Sequence, residues 1–185
     1  MIRRDTPPAR VAIPPFQAFL EENREIVYRF LLGAAGPVEA DDLFQETFLA
    51  ALRAYPKLTD GSGLRSWILT IATRKTIDAA RAAKRRPVAV GGTLDDEASS
   101  TRTSESPGAP VEGNGSRLDP DEPVWRAVLA LPAKQRAAVV HRFVLDRSYE
   151  EMGTALGCSV EAARANVSEA IRTLRKRWNH VEATR

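Results

Sequence analysis

A chain of 185 residues with 27 basic and 24 acidic side chains carries a formal net charge of only +3. The charge is sorted into blocks: residues 16–60 hold eight acids against four bases, 62–86 seven bases against one acid, 87–123 eight acids against two bases, and 132–185 ten bases against six acids, an alternation that suits several surfaces for polycationic and polyanionic partners. The lone Cys158 rules out an internal disulfide and a cysteine-rich metal site, no run approaches the ~18 apolar residues of a membrane span, and Met1-Ile2-Arg3-Arg4-Asp5 lacks the apolar core of a secretion signal, so a cytoplasmic protein is expected.

Residues 1–15, with Pro7, Pro8, Pro14 and Pro15, are expected to form a loose, disordered tail. Phe16, Phe19, Leu20, Ile26, Val27, Phe30 and Leu31 then recur at helical spacings, and Gly33, Gly36 and Pro37 end that helix. A second helix is predicted over about 38–55, with Phe44, Phe48, Ala51, Leu52 and Tyr55 as its inward stripe. Asp42, Gln45, Glu46 and Arg53 lie opposite, with Leu49 among them, either an incidental exposed leucine or an anchor for a partner. After a loop at 56–63, a third helix runs over about 64–86. Leu64, Trp67, Ile68 and Ile71 share one face while Leu69 and Ile77 point elsewhere, so its first half is buried on several sides. Its second half is basic, with Arg74, Asp78, Arg81 and Arg85 on one stripe. Residues 87–121, rich in Gly, Ser, Thr, Pro and acids, read as a flexible acidic linker.

Helices resume near residue 124. Leu131-Pro132 separates two short ones, and Ala137, Val140, Phe143 and Val144 give the second an inward face. From Ser148 to Ser159 the chain reads as a short helix and a glycine turn leading into a longer amphipathic helix, the pattern of a helix-turn-helix DNA reader. Val160, Ala163, Val167, Ala170, Ile171, Leu174 and Trp178 form the core stripe of that last helix, while Ala162, Ala165, Asn166, Glu169, Arg172, Thr173 and Lys176 face out. Cys158 falls in the turn as a small buried residue. His141 and His180 are isolated, and no phosphate-binding glycine loop or metal-ligand cluster accompanies them, so a catalytic reading finds no residues to stand on. His141 is expected on a helix surface or between domains.

The polar residues suggest their own chemistry. Asn166 is suited to adenine, and Glu169 to a cytosine amine, while Arg164, Arg172, Arg175, Lys176 and Arg177 are suited to phosphates. The loop from Lys57 to Gly63, followed by Arg65, Arg74, Lys75, Arg81, Lys84 and Arg85, suits a melted strand. Trp67 either stacks on a base or packs inward, and its shared face with Leu64 and Ile71 favours packing.

Two blocks also resemble a known family. Ala40-Asp41-Asp42-Leu43-Phe44-Gln45-Glu46-Thr47-Phe48 resembles the A-x-D-L-x-Q-E-x-F signature of bacterial sigma factors, and Trp67-Ile68-Leu69-Thr70-Ile71-Ala72, Ile77-Asp78 and the bases at 81–86 resemble the rest of their region 2. Leu131-Pro132-Ala133-Lys134-Gln135-Arg136, Tyr149-Glu150-Glu151-Met152 and Leu156-Gly157-Cys158-Ser159 resemble their region 4. With no intervening third region evident, the layout is similar to the extracytoplasmic function (ECF) group. The helical patterns themselves already make the chain all-α, two small helical domains, 16–86 and 122–180, joined by a flexible acidic linker at 87–121.

The resemblance further implies a promoter-recognition and DNA-melting subunit of RNA polymerase, neither an enzyme nor a cofactor binder. Its partners would be core polymerase, through the clamp of the largest subunit and the flap of the other large subunit, promoter DNA, and an anti-sigma factor. On this resemblance Asp42, Gln45, Glu46 and Leu49 meet core enzyme. Thr59, Asp60, Gly61 and Ser62 occupy the loop that holds a flipped minus-ten base, supported by Arg65, Arg74, Lys75, Arg81, Lys84 and Arg85. Arg164, Ala165, Asn166, Ser168, Glu169, Arg172, Arg175 and Lys176 face the minus-35 element. The family often has arginine where Asn166, Glu169 and Ile171 stand, and asparagine where Arg74 stands, so altered promoter preferences are implied. The competing reading is a helix-turn-helix regulator that binds duplex DNA without polymerase, which leaves the block 41–86 unexplained. A third is an adaptor that binds polymerase without starting transcription.

Overall fold

The computed structural model describes residues 11–85 and 123–182, with side chains as far as Trp178; the expected linker lies outside them. Among the described residues there are seven α-helices and no strand. They are α1 (Phe16–Ala35), α2 (Pro37–Ala54), α3 (Leu64–Arg85), α4 (Pro123–Leu129), α5 (Ala133–Val139), α6 (Tyr149–Leu156) and α7 (Val160–Glu182). None of these helices is long and apolar enough to cross a membrane.

Local chemistry sets the helix ends. Gly36 sits at φ 90°, ψ 167°, a conformation open to glycine, and lets α1 stop and α2 start at adjacent residues. Pro37 at the first position of α2 has no N–H to leave unpaired. Helix α6 opens on a capping box, with Ser148 Oγ accepting from the Glu151 N–H and the Glu151 carboxylate accepting from the Ser148 N–H. It closes on left-handed Gly157, whose N–H reaches the Thr154 carbonyl while the Cys158 N–H reaches that of Gly153 at 2.9 Å. A Cβ on Gly153 would stand 2.9 Å from the Cys158 carbonyl oxygen, so the tight turn into α7 requires glycine there. Cys158 itself is half-buried against the core.

Helices α1, α2 and α3 pack around Phe19, Val27, Phe30, Leu31, Leu43, Phe48, Ile68 and Leu69. Phe16, Phe19, Tyr55 and Trp67 form one aromatic cluster with ring centroids 5.1–6.2 Å apart, which places Trp67 in packing as expected. Each fully buried Phe, Leu or Ile contributes about 1.5–3 kcal/mol. An exposed ion pair such as Arg81–Asp78 contributes about 0–1 kcal/mol. Apolar packing therefore holds this bundle.

The second group of helices rests on the first. Ala137, Ala138, Val140, Met152, Leu156, Ala163 and Val167 belong to the same buried cluster as the residues of α1–α3. Only Val128, Leu131, Val139 and Ala170, with Trp125 and Leu174 against them, form a cluster of the second group alone. Gly33 of α1 makes room for the contact, since a Cβ there would meet Val140 Cγ2 at 2.9 Å.

Four expectations are corrected. Residues 11–15, assigned to a loose tail, are tied to the rest of the molecule: Tyr55 donates its hydroxyl to the Pro14 carbonyl at 2.8 Å, and the Val11 N–H donates to Asp60. Leu52 is exposed, because the inward face of α2 is Ala40, Leu43, Thr47, Phe48 and Ala51. Phe143 is 62% exposed because α5 runs into a π-helical turn at Val140–Val144, where the Leu145 N–H returns to the Val140 carbonyl, and the wider turn rotates Phe143 off the inward face. Trp178 is 47% exposed, since the inward stripe of α7 ends at Leu174 against the small cluster.

Candidate functional site

Three surfaces carry the residues singled out by sequence. On α2, Asp42, Gln45, Glu46 and Leu49 fall at i, i+3, i+4 and i+7 and are all exposed on one face. Leu43, Thr47 and Phe48 anchor the helix from behind. Leu49 is half-exposed and is joined by Leu52, so the face combines acids and an amide with two leucines. Glu46 Oε2 accepts from Lys75 Nζ at 2.9 Å, which ties the face to α3. Asp41 lies against the Tyr28 hydroxyl, whose acidity is lowered by burial first and by that carboxylate second.

On α3, Arg74, Arg81, Lys84 and Arg85 are exposed, with Asp78 bound to Arg81 at 3.2 Å. Two predicted bases stand apart from this group. Lys75 is turned to Glu46, and Arg65 lies 3.5 Å from Glu22 of α1. The loop before α3 is ordered by Asp60. Its Oδ1 accepts from the Val11 N–H at 2.8 Å and from the Ser62 N–H at 3.2 Å, and its Oδ2 accepts from Ser62 Oγ. Thr59 and Ser62 remain exposed at the tip, while Asp60 and Gly61 are partly covered.

On α7, Arg164, Ala165, Ser168, Arg172, Arg175 and Lys176 are exposed. Arg164 stacks over the Tyr149 ring at 5.0 Å, a contact that links α7 to the start of α6. Two side chains expected to read bases are engaged within the helix. Asn166 Nδ2 donates to the Ala162 carbonyl at 2.8 Å, and the Glu169 carboxylate accepts from Arg172 with both oxygens. That bond uses one of the two amide N–H groups, so the second and the amide oxygen are what Asn166 has left for an adenine. The starts of α6 and α7 hold Glu150 and Glu161 below the usual carboxylate range, chiefly through backbone N–H groups and then Ser148 and Ser159.

Sequence reasoning missed Thr73, Ser66 and Arg147, which join the two helix groups. Thr73 Oγ1 donates to the Leu69 carbonyl at 2.7 Å and meets His141 Nε2 at 2.8 Å. With the hydroxyl proton committed to Leu69, Nε2 must be the protonated nitrogen of a neutral His141, and it donates to Thr73. His141 is 1% exposed and its ring lies 4.7 Å from that of Phe30. Burial first, and the Arg147 charge second, push its pKa from 6.5 to about 3. Arg147 itself donates to Ser66 Oγ of α3 and pairs with Glu151 at 3.0 Å. The interdomain half of the expectation for His141 is what the structure shows. A threonine, a serine and an arginine carry no periodic apolar signal that could have found them.

Comparison with known proteins is consistent along the chain. A family model for sigma-70 region 2 matches residues 17–86, and one for sigma-70 region 4 matches residues 121–174. The ECF RNA polymerase sigma factor SigD of Mycobacterium tuberculosis (strain ATCC 25618 / H37Rv) is 32% identical over 163 residues, 84% of this chain and 73% of that protein. The ECF RNA polymerase sigma factor SigC of Mycobacterium tuberculosis (strain CDC 1551 / Oshkosh) is 28% identical over 156 residues, 83% of this chain and 78% of that protein. In fold, the chain is similar to the sigma factor RpoE solved with the anti-sigma factor NepR from Bartonella quintana, with a TM-score of 0.64, 22% identity, and coverage of 87% of this chain and 94% of that one. It is also similar to CnrH solved with the cytosolic domain of CnrY, with a TM-score of 0.58, 19% identity, and coverage of 89% and 88%.

Proposed function

This chain belongs to the ECF sigma factors of the sigma-70 family, and from that premise we propose how its surfaces divide the work of starting transcription. As an alternative sigma factor it directs RNA polymerase to promoters; it binds core enzyme and promoter DNA in the cytoplasm. The exposed face of α2 is the main core-binding surface. Its acids suit a basic helical partner and set register, while Leu49 and Leu52 supply the apolar contact that charge alone lacks. The basic stripe of α3 takes the phosphates of the melted strand, and the loop at 57–63 takes a flipped minus-ten base. Helix α7 enters the major groove at the minus-35 element, and Arg164, Arg172, Arg175 and Lys176 grip phosphates.

The observation that carries this division is the α2 face: acids, an amide and leucines exposed together on a helix whose other side is locked into the core. A face built only for solubility has no use for two half-exposed leucines beside Gln45 and Glu46. Paired substitution Gln45→Ala and Leu49→Ala is expected to weaken core affinity at least about tenfold with an unchanged melting temperature. Titration against fluorescently labelled core enzyme checks this, and an unaltered affinity rejects the assignment.

The packed arrangement cannot serve both promoter elements at once. The element names place them about 25 base pairs apart, or roughly 85 Å at 3.4 Å per pair. A compact body of this size is only on the order of 40 Å across. The stretch 86–122 reaches up to about 120 Å when extended. The two helix groups therefore part when both elements are held, and the Thr73–His141 and Ser66–Arg147 contacts open.

A further inference from the structure

The segment before α1 lies across the loop at 57–63, and the contacts are specific. The Val11 N–H donates to Asp60 Oδ1 at 2.8 Å, and the Gly61 N–H donates back to the Val11 carbonyl at 2.8 Å. Gly61 faces the segment so closely that a Cβ there would stand 2.3 Å from the Ala12 carbonyl oxygen and 3.0 Å from that of Val11. Three residues on, Pro14 accepts from the Tyr55 hydroxyl at 2.8 Å, and Pro14-Pro15 leads directly into α1. The segment is therefore held at both ends, by the loop and by the aromatic cluster beneath it. The Val11 side chain is 55% exposed and adds little; its backbone makes the contacts.

We propose that residues 11–12 are a backbone strap that sets the shape of the loop at 57–63 and so determines which flipped base it accepts, with Asp60 and Val11 as positioning residues rather than base readers. The inference rests on the reading that this loop holds the minus-ten base. Asp60 binds two backbone N–H groups and the Ser62 hydroxyl. That fixes the turn and leaves Thr59 exposed at the tip to meet a base. A pocket that reads a base by hydrogen bonds needs its donors and acceptors held to a fraction of an ångström. A seven-residue loop rich in Gly and Ser does not achieve that unaided, because each free residue costs about 1–2 kcal/mol to order. The strap does the ordering when the protein folds, before DNA arrives. The same contacts explain why glycine stands at 61 although its φ is not in the left-handed region. It is there for the approach of Ala12.

The test uses full-length protein assembled with purified core enzyme and a promoter-DNA library randomised across the minus-ten region, sequenced before and after selection for open complexes. Val11→Pro removes the N–H that Asp60 accepts, and Val11→Ala keeps it. Val11→Pro should bind core as the parent does and lose about tenfold of base discrimination at one position of the minus-ten profile. Val11→Ala should match the parent. Gly61→Ala displaces the same strap from the other side and should flatten the same position, which keeps the test alive if Val11→Pro fails to bind core. Thr59→Ala should change that position as well. If Thr59→Ala changes the profile while Val11→Pro and Gly61→Ala leave it as the parent's, the strap is overturned and the loop reading stands. If none of them changes it, the loop reading fails and takes the strap with it. A loss spread evenly over all positions also overturns the proposal, since it marks lost occupancy rather than lost shape.

Discussion

The two halves of this protein are not equally self-sufficient. The first three helices close around their own aromatic and aliphatic core, from Phe19 through Leu69, and present a rigid α2 to a partner. The last four helices own a cluster of four buried side chains, and more of their buried residues, among them Met152, Leu156, Val140 and Val167, lie in company with the first half. The first half behaves as a platform, and the second borrows from it. The difference suits their proposed tasks: the half that opens a strand must hold a shape, while the half that reaches a distant element must be able to leave.

The largest expected effect comes from a wedge at the seam. Gly33→Leu places a side chain where Val140 already stands and should cost about 1–3 kcal/mol of contact between the halves. Dyes on Glu25 and Lys176 should move apart by tens of ångströms at most, within the reach of the intervening chain. Hydrogen exchange should show α5 and α6 losing protection while α1–α3 keep theirs. Equal loss in both halves would break the comparison.

A comparable effect, confined to low pH, comes from His141. It is neutral when folded, with its pKa near 3 against 6.5, so the unfolded chain binds a proton that the folded chain refuses. Its stabilising contribution is complete above pH 6.5 and is lost as pH falls from 6.5 toward 3, at most about 1.4 kcal/mol per pH unit. Relative to His141→Gln, the parent should therefore lose stability more steeply between pH 6.5 and 4, measured by urea midpoints. Parallel curves would mean that the seam does not exclude the proton.

The smallest stability effect belongs to Glu169→Ala. Its pair with Arg172 is exposed, so the change in stability should stay within about 0.5 kcal/mol. Loss of the carboxylate suited to a cytosine amine should shift base preference at the minus-35 element in a selection from randomised duplexes. An unchanged preference would assign the pair to the helix surface alone.

Much of the fold was legible because helical periodicity is a local property. The spacing of Phe19, Val27, Phe30 and Leu31, and the Ser148–Glu151 and Gly157 punctuation around α6, could be read in order along the chain. The exposed face Asp42–Gln45–Glu46–Leu49 followed from the same periodicity. Phe143 could not, because a π-turn adds a residue that no pattern announces. Leu52 and Trp178 were misplaced because a stripe predicts direction but not whether a neighbour stands there to cover it.

The amino-acid sequence by itself determined the seven helices of the described residues, the helix-turn-helix and the sorting of charge along the chain, since each rests on residues within a turn or two of one another. Only the tertiary structure decided what depends on residues far apart. Thr73 meets His141 across 68 positions and Val11 meets Asp60 across 49. Asn166 and Glu169 needed it too, since their availability turns on rotamers chosen in place. Pairings of that kind are made by packing, after the helices exist, and a one-dimensional pattern holds no record of which faces will meet.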